Sequence, residues 1–162
     1  MATNSITYLK GDATQPVGDG NKIIVHVCND IGGWGRGFVL ALSARWKEPE
    51  ASFRAWSKSG EGYELGNIQL VAVEPGLWVG NMIGQHHTKW GKDGTPPIRY
   101  EALRSALGKI AKEAEKLSAT VHMPRIGAGL AGGDWQVIEG IIQQQLADQG
   151  IEVTLYDFEP KK

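Results

Sequence analysis

Alternating apolar and polar side chains predict a series of strands along the chain. Segment 6–10 alternates, which favours a strand, and segment 22–27 is β-branched and almost wholly apolar, which is typical of a central strand buried on both faces. Segments 68–73 and 77–83 predict two strands joined in a hairpin at Glu74-Pro75-Gly76. Two more strands are expected over 120–126 and 151–156.

Four other segments predict helices. Segment 97–117 carries apolar residues three and four positions apart. Segment 37–46 is rich in apolar residues and has no helix breaker, and Pro49 opens a short helix through 56. Asp134 is expected to cap a helix that runs to about 149, with Gly150 in the position of a C-terminal cap. The order β-β-α-α-β-β-α-β-α-β predicts an α/β fold, with a mixed sheet covered by helices on both faces. Ligands of such sheets bind at the carboxyl ends of the strands.

Composition narrows the class of protein. The 162 residues suit a single domain over 1–162, and 41% hydrophobic with 22% charged residues is typical of a globular chain. A net charge of −1 offers no basic face for duplex DNA, so an anionic ligand must be held locally by backbone N–H groups. The chain has one cysteine, Cys28, no apolar run of about 20 residues and no visible secretory signal. We therefore expect a cytoplasmic protein with no membrane partner.

Two glycine-rich loops are the main candidates for a binding site. The first, residues 29–37, follows the buried strand and opens a helix, so its N–H groups can point at an anion; the alternative is an ordinary turn. Trp34 interrupts its glycines and is expected to form a wall against the ligand. The second, residues 127–133, matches the G-x-G-x-x-G dinucleotide fingerprint, but its place near the end of the chain argues against a Rossmann oxidoreductase. Together the two loops could grip a diphosphate from both sides.

A few titratable residues are candidates for catalysis. His26 comes late in the buried strand, just before the first glycine loop, and is suited to proton transfer; the alternative is a hydrogen-bonded core histidine. Asp30 could activate water or simply be solvated, and His86 and His87 could reach the same mouth. Asp12 could accept from the amine of a base or belong to a turn. Because ligand spacing for a metal is absent, neither a metal nor a cofactor is expected.

Three motifs together closely resemble the macrodomain family. They are Gly11-Asp12-Ala13-Thr14, then Val25-His26-Val27-Cys28-Asn29 leading into Gly33-Trp34-Gly35-Arg36-Gly37, and finally Met123-Pro124-Arg125-Ile126-Gly127-Ala128-Gly129-Leu130. The resemblance implies a three-layer α/β sandwich that binds ADP-ribose. The second motif is similar to the fungal ADP-ribose 1''-phosphate phosphatase branch, and the third to the terminal ADP-ribose protein glycohydrolase branch.

The resemblance also implies roles for individual residues. Asp12 would hold the adenine amino group, Tyr156 or Phe158 would flank the adenine, and the phosphatase branch has a histidine at the place of His26. The candidate catalytic residues are His26, which the resemblance supports, and Asp30, which rests on its place in the first glycine loop. The implied ligand contacts are Asp12, Ala13, Asn29, Gly33, Trp34, Gly35, Arg36, Gly37, Ile126, Gly127, Ala128, Gly129, Leu130, Ala131, Gly132 and Tyr156.

Two departures from the glycohydrolase branch bear on mechanism. The position of that branch's catalytic lysine is taken by Gln85 or a neighbour, and the position of its aspartate by Ala131, so a lysine-imine mechanism is not expected. The first hypothesis is a hydrolase acting at the 1'' position of ADP-ribose, on a phosphate or on an ADP-ribosylated protein or nucleic acid. The second is a module that binds ADP-ribose without turnover.

Overall fold

The computed structural model describes residues 5–158, in which the elements follow the predicted order. The strands are β1 (Thr7–Lys10), β2 (Lys22–Asn29), β3 (Ile68–Glu74), β4 (Leu77–Gln85), β5 (Thr120–Met123) and β6 (Val153–Asp157). The helices are α1 (Phe38–Arg45), α2 (Glu48–Ser59), α3 (Tyr100–Leu117) and α4 (Trp135–Gln145), and a 3₁₀ turn, Ala147–Gln149, follows α4.

The strands form one mixed sheet in the order β1-β6-β5-β2-β4-β3. All neighbouring pairs are parallel except β3 with β4, which form the predicted antiparallel hairpin. Successive side chains of β2 point to opposite faces, so Ile23 and Val25 pack with α3 and α4, whereas Ile24 packs with α1 and α2. This arrangement confirms the expected three-layer α/β sandwich, with β2 buried between the two helical layers.

Several element boundaries differ from the prediction by a few residues, and three of the differences have a clear physical cause. Helix α3 begins at Tyr100 and not at Pro97, because Ile98 pairs with Gln85 in a β-bridge and donates its N–H to a loop carbonyl. Strand β5 ends at Met123, because Pro124 has no N–H to continue the ladder. Helix α4 ends at Gln145, and its predicted last turn is the 3₁₀ turn capped by Gly150 at φ 82°. No helix in residues 5–158 combines the length and apolar character that crossing a membrane requires.

Candidate functional site

A cavity of about 720 Å³ opens at the carboxyl ends of β2, β4 and β5. The first glycine loop, residues 29–37, forms one side of it, and the segment around the second glycine loop, residues 127–133, forms another. Residues that follow β4 form a third side. The two loops that the sequence singled out therefore face the same space, as expected for a ligand held from both sides.

Most of the predicted ligand contacts lie on this cavity, and some do not. Those that line it are His26, Asn29, Gly33, Trp34, Gly35, Arg36, Gly37, Ile126, Gly127, Gly129, Leu130 and Ala131. The candidates that lie outside its lining are Asp12, Ala13, Asp30, Ala128, Gly132 and Tyr156. The predicted site is thus assembled around the glycine loops, while the residues assigned to adenine and one catalytic candidate are placed elsewhere.

The shape of the first glycine loop is fixed by two side chains. The Asn29 carboxamide accepts hydrogen bonds from the N–H groups of Ile31 and Gly33 at 3.1 and 2.8 Å and donates to the Gly33 carbonyl. The Tyr63 hydroxyl accepts from the Gly32 N–H at 2.7 Å and donates to the Asn29 carbonyl at 2.7 Å. These bonds occupy the N–H groups of Ile31, Gly32 and Gly33, so the protein itself holds the first half of the loop in place. Sequence reasoning missed Tyr63.

Two glycines leave open space beside the loops. A β-carbon added to Gly35 or to Gly129 would meet no protein atom within 4 Å, and both residues line the cavity. A β-carbon on Gly133, in contrast, would lie 2.6 Å from the Gly127 carbonyl oxygen. Gly133 is therefore required by the packing of the protein, whereas Gly35 and Gly129 leave room for another molecule to approach the backbone.

The cavity has a positive lining. Arg36, Lys89 and Arg125 line it, and among residues 5–158 no aspartate or glutamate does. Arg125 is paired with Asp157. Its Nε donates to Asp157 Oδ1 at 2.6 Å, and its Nη2 donates to Asp157 Oδ2 at 3.0 Å. Within the described part of the chain, no carboxylate forms an ion pair with Arg36 or Lys89. In a chain with a net charge of −1, this cavity therefore has a locally positive lining.

His26 lies at the floor of the cavity and is 2% exposed. Its Nε2 is 2.5 Å from Oδ1 of Asn81, and the Asn81 amide donates in turn to Gln69 Oε1 at 3.0 Å. The edge of its ring also packs against Trp34. Burial lowers the pKa of His26 to about 4, although the bond to Asn81 acts in the opposite direction. The imidazole is therefore neutral near pH 7 and has the environment of a core histidine.

Asp30 and His86 form a second titratable group at the rim. His86 Nδ1 lies 2.6 Å from Asp30 Oδ2, and the His87 N–H donates to Asp30 Oδ1 at 2.8 Å. Burial tends to raise the pKa of Asp30, but the hydrogen bonds from His87 and His86 outweigh it and hold the pKa below its usual value. The His86 side chain is 51% exposed. Neither Asp30 nor His86 lines the cavity, but their chain neighbours Asn29 and Gln85 do.

Asp12 lies after β1, at the far end of the same sheet edge. Its Oδ1 accepts from the N–H and hydroxyl of Thr14 at 2.8 and 2.7 Å, and its Oδ2 lies 3.7 Å from Arg45. Burial acts to raise the pKa of Asp12, but the two Thr14 bonds and Arg45 lower it below the usual value. Tyr156 is buried below this turn, and its hydroxyl bonds to the Val17 N–H and to His122. Phe158 is exposed.

The segment after β4 contributes side chains that sequence reasoning did not assign to the site. Gln85, Thr88, Lys89 and Trp90 line the cavity, as does Arg125 before the second glycine loop. Only the order of the strands in the sheet could have indicated that this segment reaches the site. Because β4 pairs in parallel with β2, its carboxyl end meets the first glycine loop, but the hydrophobic pattern does not specify which strand neighbours which.

Comparison with solved structures decides the family. No family model matches the chain. A macrodomain protein from Streptomyces coelicolor is 52% identical, with a TM-score of 0.84, over 94% of this chain and 99% of that one. The chain belongs to the macrodomain family. A protein of unknown function from Bacteroides thetaiotaomicron is 55% identical, with a TM-score of 0.94, over 95% of this macrodomain and 98% of that chain.

Curated relatives with named activities are more distant. Mouse chromodomain-helicase-DNA-binding protein 1-like is 32% identical over 100% of this macrodomain, which spans only 19% of that protein. An ADP-ribose 1''-phosphate phosphatase from Chaetomium globosum is 27% identical over 72% of this macrodomain and 71% of the relative. The bovine ADP-ribose glycohydrolase OARD1 is 28% identical over 93% of this macrodomain and 90% of the relative.

A more distant solved structure shares the fold. Thermosipho africanus DarTG, solved in complex with ADP-ribose, is 19% identical, with a TM-score of 0.69, over 86% of this macrodomain and 39% of that chain.

Proposed function

We propose that this macrodomain binds ADP-ribose in the cavity between its two glycine loops and hydrolyses an ADP-ribose derivative at the 1'' position. The observation that carries the proposal is the lining of the cavity, where two glycine loops meet Arg36 and Lys89, neither of which has a carboxylate partner within residues 5–158. Backbone N–H groups and cations are what a diphosphate requires. ADP-ribose 1''-phosphate is the first choice of substrate, and an ADP-ribosylated macromolecule is the second.

The named relatives support this substrate class. A fungal ADP-ribose 1''-phosphate phosphatase and a bovine ADP-ribose glycohydrolase both match most of this chain, and the two activities act on derivatives of the same nucleotide. The position of the glycohydrolase lysine is occupied by Gln85 or a neighbour, and the Gln85 amide donates to the His87 carbonyl. This departure favours acid–base chemistry, and hence the phosphatase reaction.

In that reaction, water adds to the phosphorus and the ribose oxygen leaves. The water gives up a proton, the departing 1'' oxygen gains one, and the products are ADP-ribose and inorganic phosphate. We assign the proton transfers to Asp30 with His86, because this pair is hydrogen-bonded at the accessible rim, whereas His26 is buried and bonded to Asn81. The loop N–H groups would stabilise the charge that develops on the phosphate.

Binding is tested by calorimetry with ADP-ribose, AMP and NAD. We expect ADP-ribose to bind and the other two to bind much more weakly, because AMP lacks one phosphate and NAD blocks the terminal ribose. No measurable heat with ADP-ribose, or equal affinity for NAD, would contradict the binding part of the proposal.

Turnover is tested by phosphate release from ADP-ribose 1''-phosphate. Asp30→Asn should lower the rate about a hundredfold to ten-thousandfold and leave ADP-ribose affinity within a few-fold, as expected for loss of a proton-transfer group. His26→Gln is the matched comparison: if it abolishes turnover while Asp30→Asn is active, the base is His26. A chelator should leave the rate unchanged.

The second candidate function is a module that reads ADP-ribose without turnover. The buried state of His26 favours it, because this titratable group of the cavity floor is already hydrogen-bonded and neutral. A wild-type protein that binds ADP-ribose, releases no phosphate and cleaves no ADP-ribosylated acceptor would establish this function.

A further inference from the structure

The segment after β4, residues 86–97, connects the two glycine loops, and we call it the strap. Its first residues reach the first glycine loop, where His86 and the His87 N–H both bond to Asp30. Thr88 packs against Gly33 of the same loop. Trp90 packs against Gly132 of the second loop. The strap therefore spans the side of the cavity that neither glycine loop covers.

The strap is closed on itself, which gives its cavity-facing side chains a defined place. The His86 N–H donates to the Pro97 carbonyl at 2.8 Å at its base, and the Gly91 N–H donates to the Thr95 carbonyl at 2.8 Å near its tip. Between these bonds, Thr88, Lys89 and Trp90 line the cavity. Lys89 is the cation of this group, and within residues 5–158 it has no carboxylate partner.

The strand order indicates which part of a ligand meets the strap. Along the carboxyl edge the order is β1, β6, β5, β2, β4, which places the turn at Asp12 at one end and the strap at the other. Four strand spacings amount to about 19 Å, a span that an extended nucleotide diphosphate sugar can follow. If the base lies toward Asp12 and the diphosphate between the glycine loops, the terminal ribose lies beside the strap.

We propose that Lys89 of the strap selects ligands with an anionic group, a phosphate above all, on the 1'' carbon of the terminal ribose. This inference rests on the proposed function, in which phosphate is the first choice of 1'' substituent, and adds the residue that recognises that substituent. Lys89 acts through its positive charge, which attracts the anionic 1'' substituent. The strap holds Lys89 in the position where it can do so. Trp90 and Thr88 bound the same space and limit the size of the substituent.

The test compares an anionic substituent with a neutral one on the 1'' carbon of the terminal ribose. The ligands are the non-hydrolysable 1''-phosphonate analogue of ADP-ribose and the neutral 1''-O-methyl glycoside of ADP-ribose, with ADP-ribose itself as reference. In the wild-type protein, calorimetry should show tighter binding of the phosphonate than of the methyl glycoside by about tenfold to a hundredfold, the usual value of a charge-assisted contact. Lys89→Gln should abolish this preference, so that the affinities of the variant for the phosphonate and for the methyl glycoside agree within about twofold.

Two matched variants separate charge from position. Lys89→Arg keeps the positive charge and should keep most of the preference for the phosphonate. If Lys89 acted as a nucleophile instead, its function would be lost in this variant. Lys92→Gln removes the next lysine of the same strap, which is exposed and does not line the cavity, and should change nothing. Thermal unfolding of each variant checks that the domain is intact.

The outcomes distinguish this inference from the proposed function. A protein that binds ADP-ribose but shows no preference for the phosphonate contradicts the role of Lys89 and leaves the proposed function standing. A preference that persists in Lys89→Gln, or that is lost equally in Lys92→Gln, also overturns the inference. A protein that binds none of the three ligands contradicts both proposals.

Discussion

The indole of Trp90 occupies the space that a β-carbon on Gly132 would need. The nearest ring atom lies 2.5 Å from that position, and Pro96 lies 2.9 Å from it. Gly132 belongs to the second glycine loop and Trp90 to the strap, so this contact joins two separate segments of the cavity wall. The absence of a side chain at Gly132 is therefore a condition for the strap to sit where it does.

Gly132→Ala should displace Trp90 and weaken ligand binding. The variant also places alanine at φ 74°, which by itself costs about 1–2 kcal/mol. Gly94→Ala is the matched control, because Gly94 has a similar φ of 85° on the same strap but no atom within 4 Å. Tryptophan fluorescence and ADP-ribose affinity should change in the first variant only; equal behaviour of the two would mean that the Trp90 contact is unimportant.

Valine at Gly35 or Gly129 should block the ligand without unfolding the protein. Each added side chain enters space that is free of protein atoms, so thermal stability should change little, whereas ADP-ribose affinity should fall by about tenfold or more because the ligand can no longer approach the backbone. Gly140→Ala in α4, also in open space, should leave affinity unchanged and raise stability by about 0.5–1 kcal/mol. Normal binding by either valine variant would show that its loop does not hold the phosphates.

Asp12→Asn separates recognition of a base from formation of a turn. Asparagine can still accept the Thr14 hydrogen bonds, so stability should be nearly kept, while the negative charge is lost. If Asp12 holds the adenine amine, affinity for ADP-ribose should fall by about tenfold to a hundredfold. Inosine diphosphate ribose, which lacks that amine, should bind wild type and variant equally. Unchanged affinity for ADP-ribose would leave Asp12 as a turn residue.

The two buried histidines should make stability depend on pH. Burial lowers the pKa of His26 and of His122 to about 4, from 6.5 in an unfolded chain. Below pH 6.5 the unfolded chain therefore binds protons that the folded chain does not, so stability is full above pH 6.5 and is lost as pH falls toward 4. Lowering the pH from 7 to 5 should reduce the free energy of unfolding by about 2 kcal/mol for each of the two histidines.

The check is urea unfolding at pH 7, 6 and 5. His122→Gln should remove about half of the pH-dependent loss, because glutamine does not titrate and only His26 remains. A free energy of unfolding that is constant from pH 7 to pH 5 in the wild type would mean that neither histidine is held neutral by burial.

The sequence allowed prediction of the elements and of two walls of the cavity. The sequence pattern located the strands and α-helices of residues 5–158, but it failed at some boundaries. Helix α3 starts after Pro97 because Ile98 is held by a β-bridge and a tertiary hydrogen bond, and β5 ends before Pro124 because proline has no N–H to donate. Glycine clustering located Gly35 and Gly129 correctly on the cavity. Lys89 and Trp90 of the strap were missed because they have no periodicity or motif, and their place depends on the pairing of β4 with β2.

The side chains beneath the cavity also determine how the sheet is aligned. Gln69, Asn81 and His26 are direct register partners across β3, β4 and β2, and their hydrogen bonds run perpendicular to the strands. A slip of one residue in the edge hairpin would turn Asn81 to the opposite face and leave buried amide and imidazole groups without partners. Correct pairing of the hairpin and correct placement of His26 therefore depend on each other. Substitutions at these three positions should be strongly non-additive, so the floor of the cavity can change only as a set.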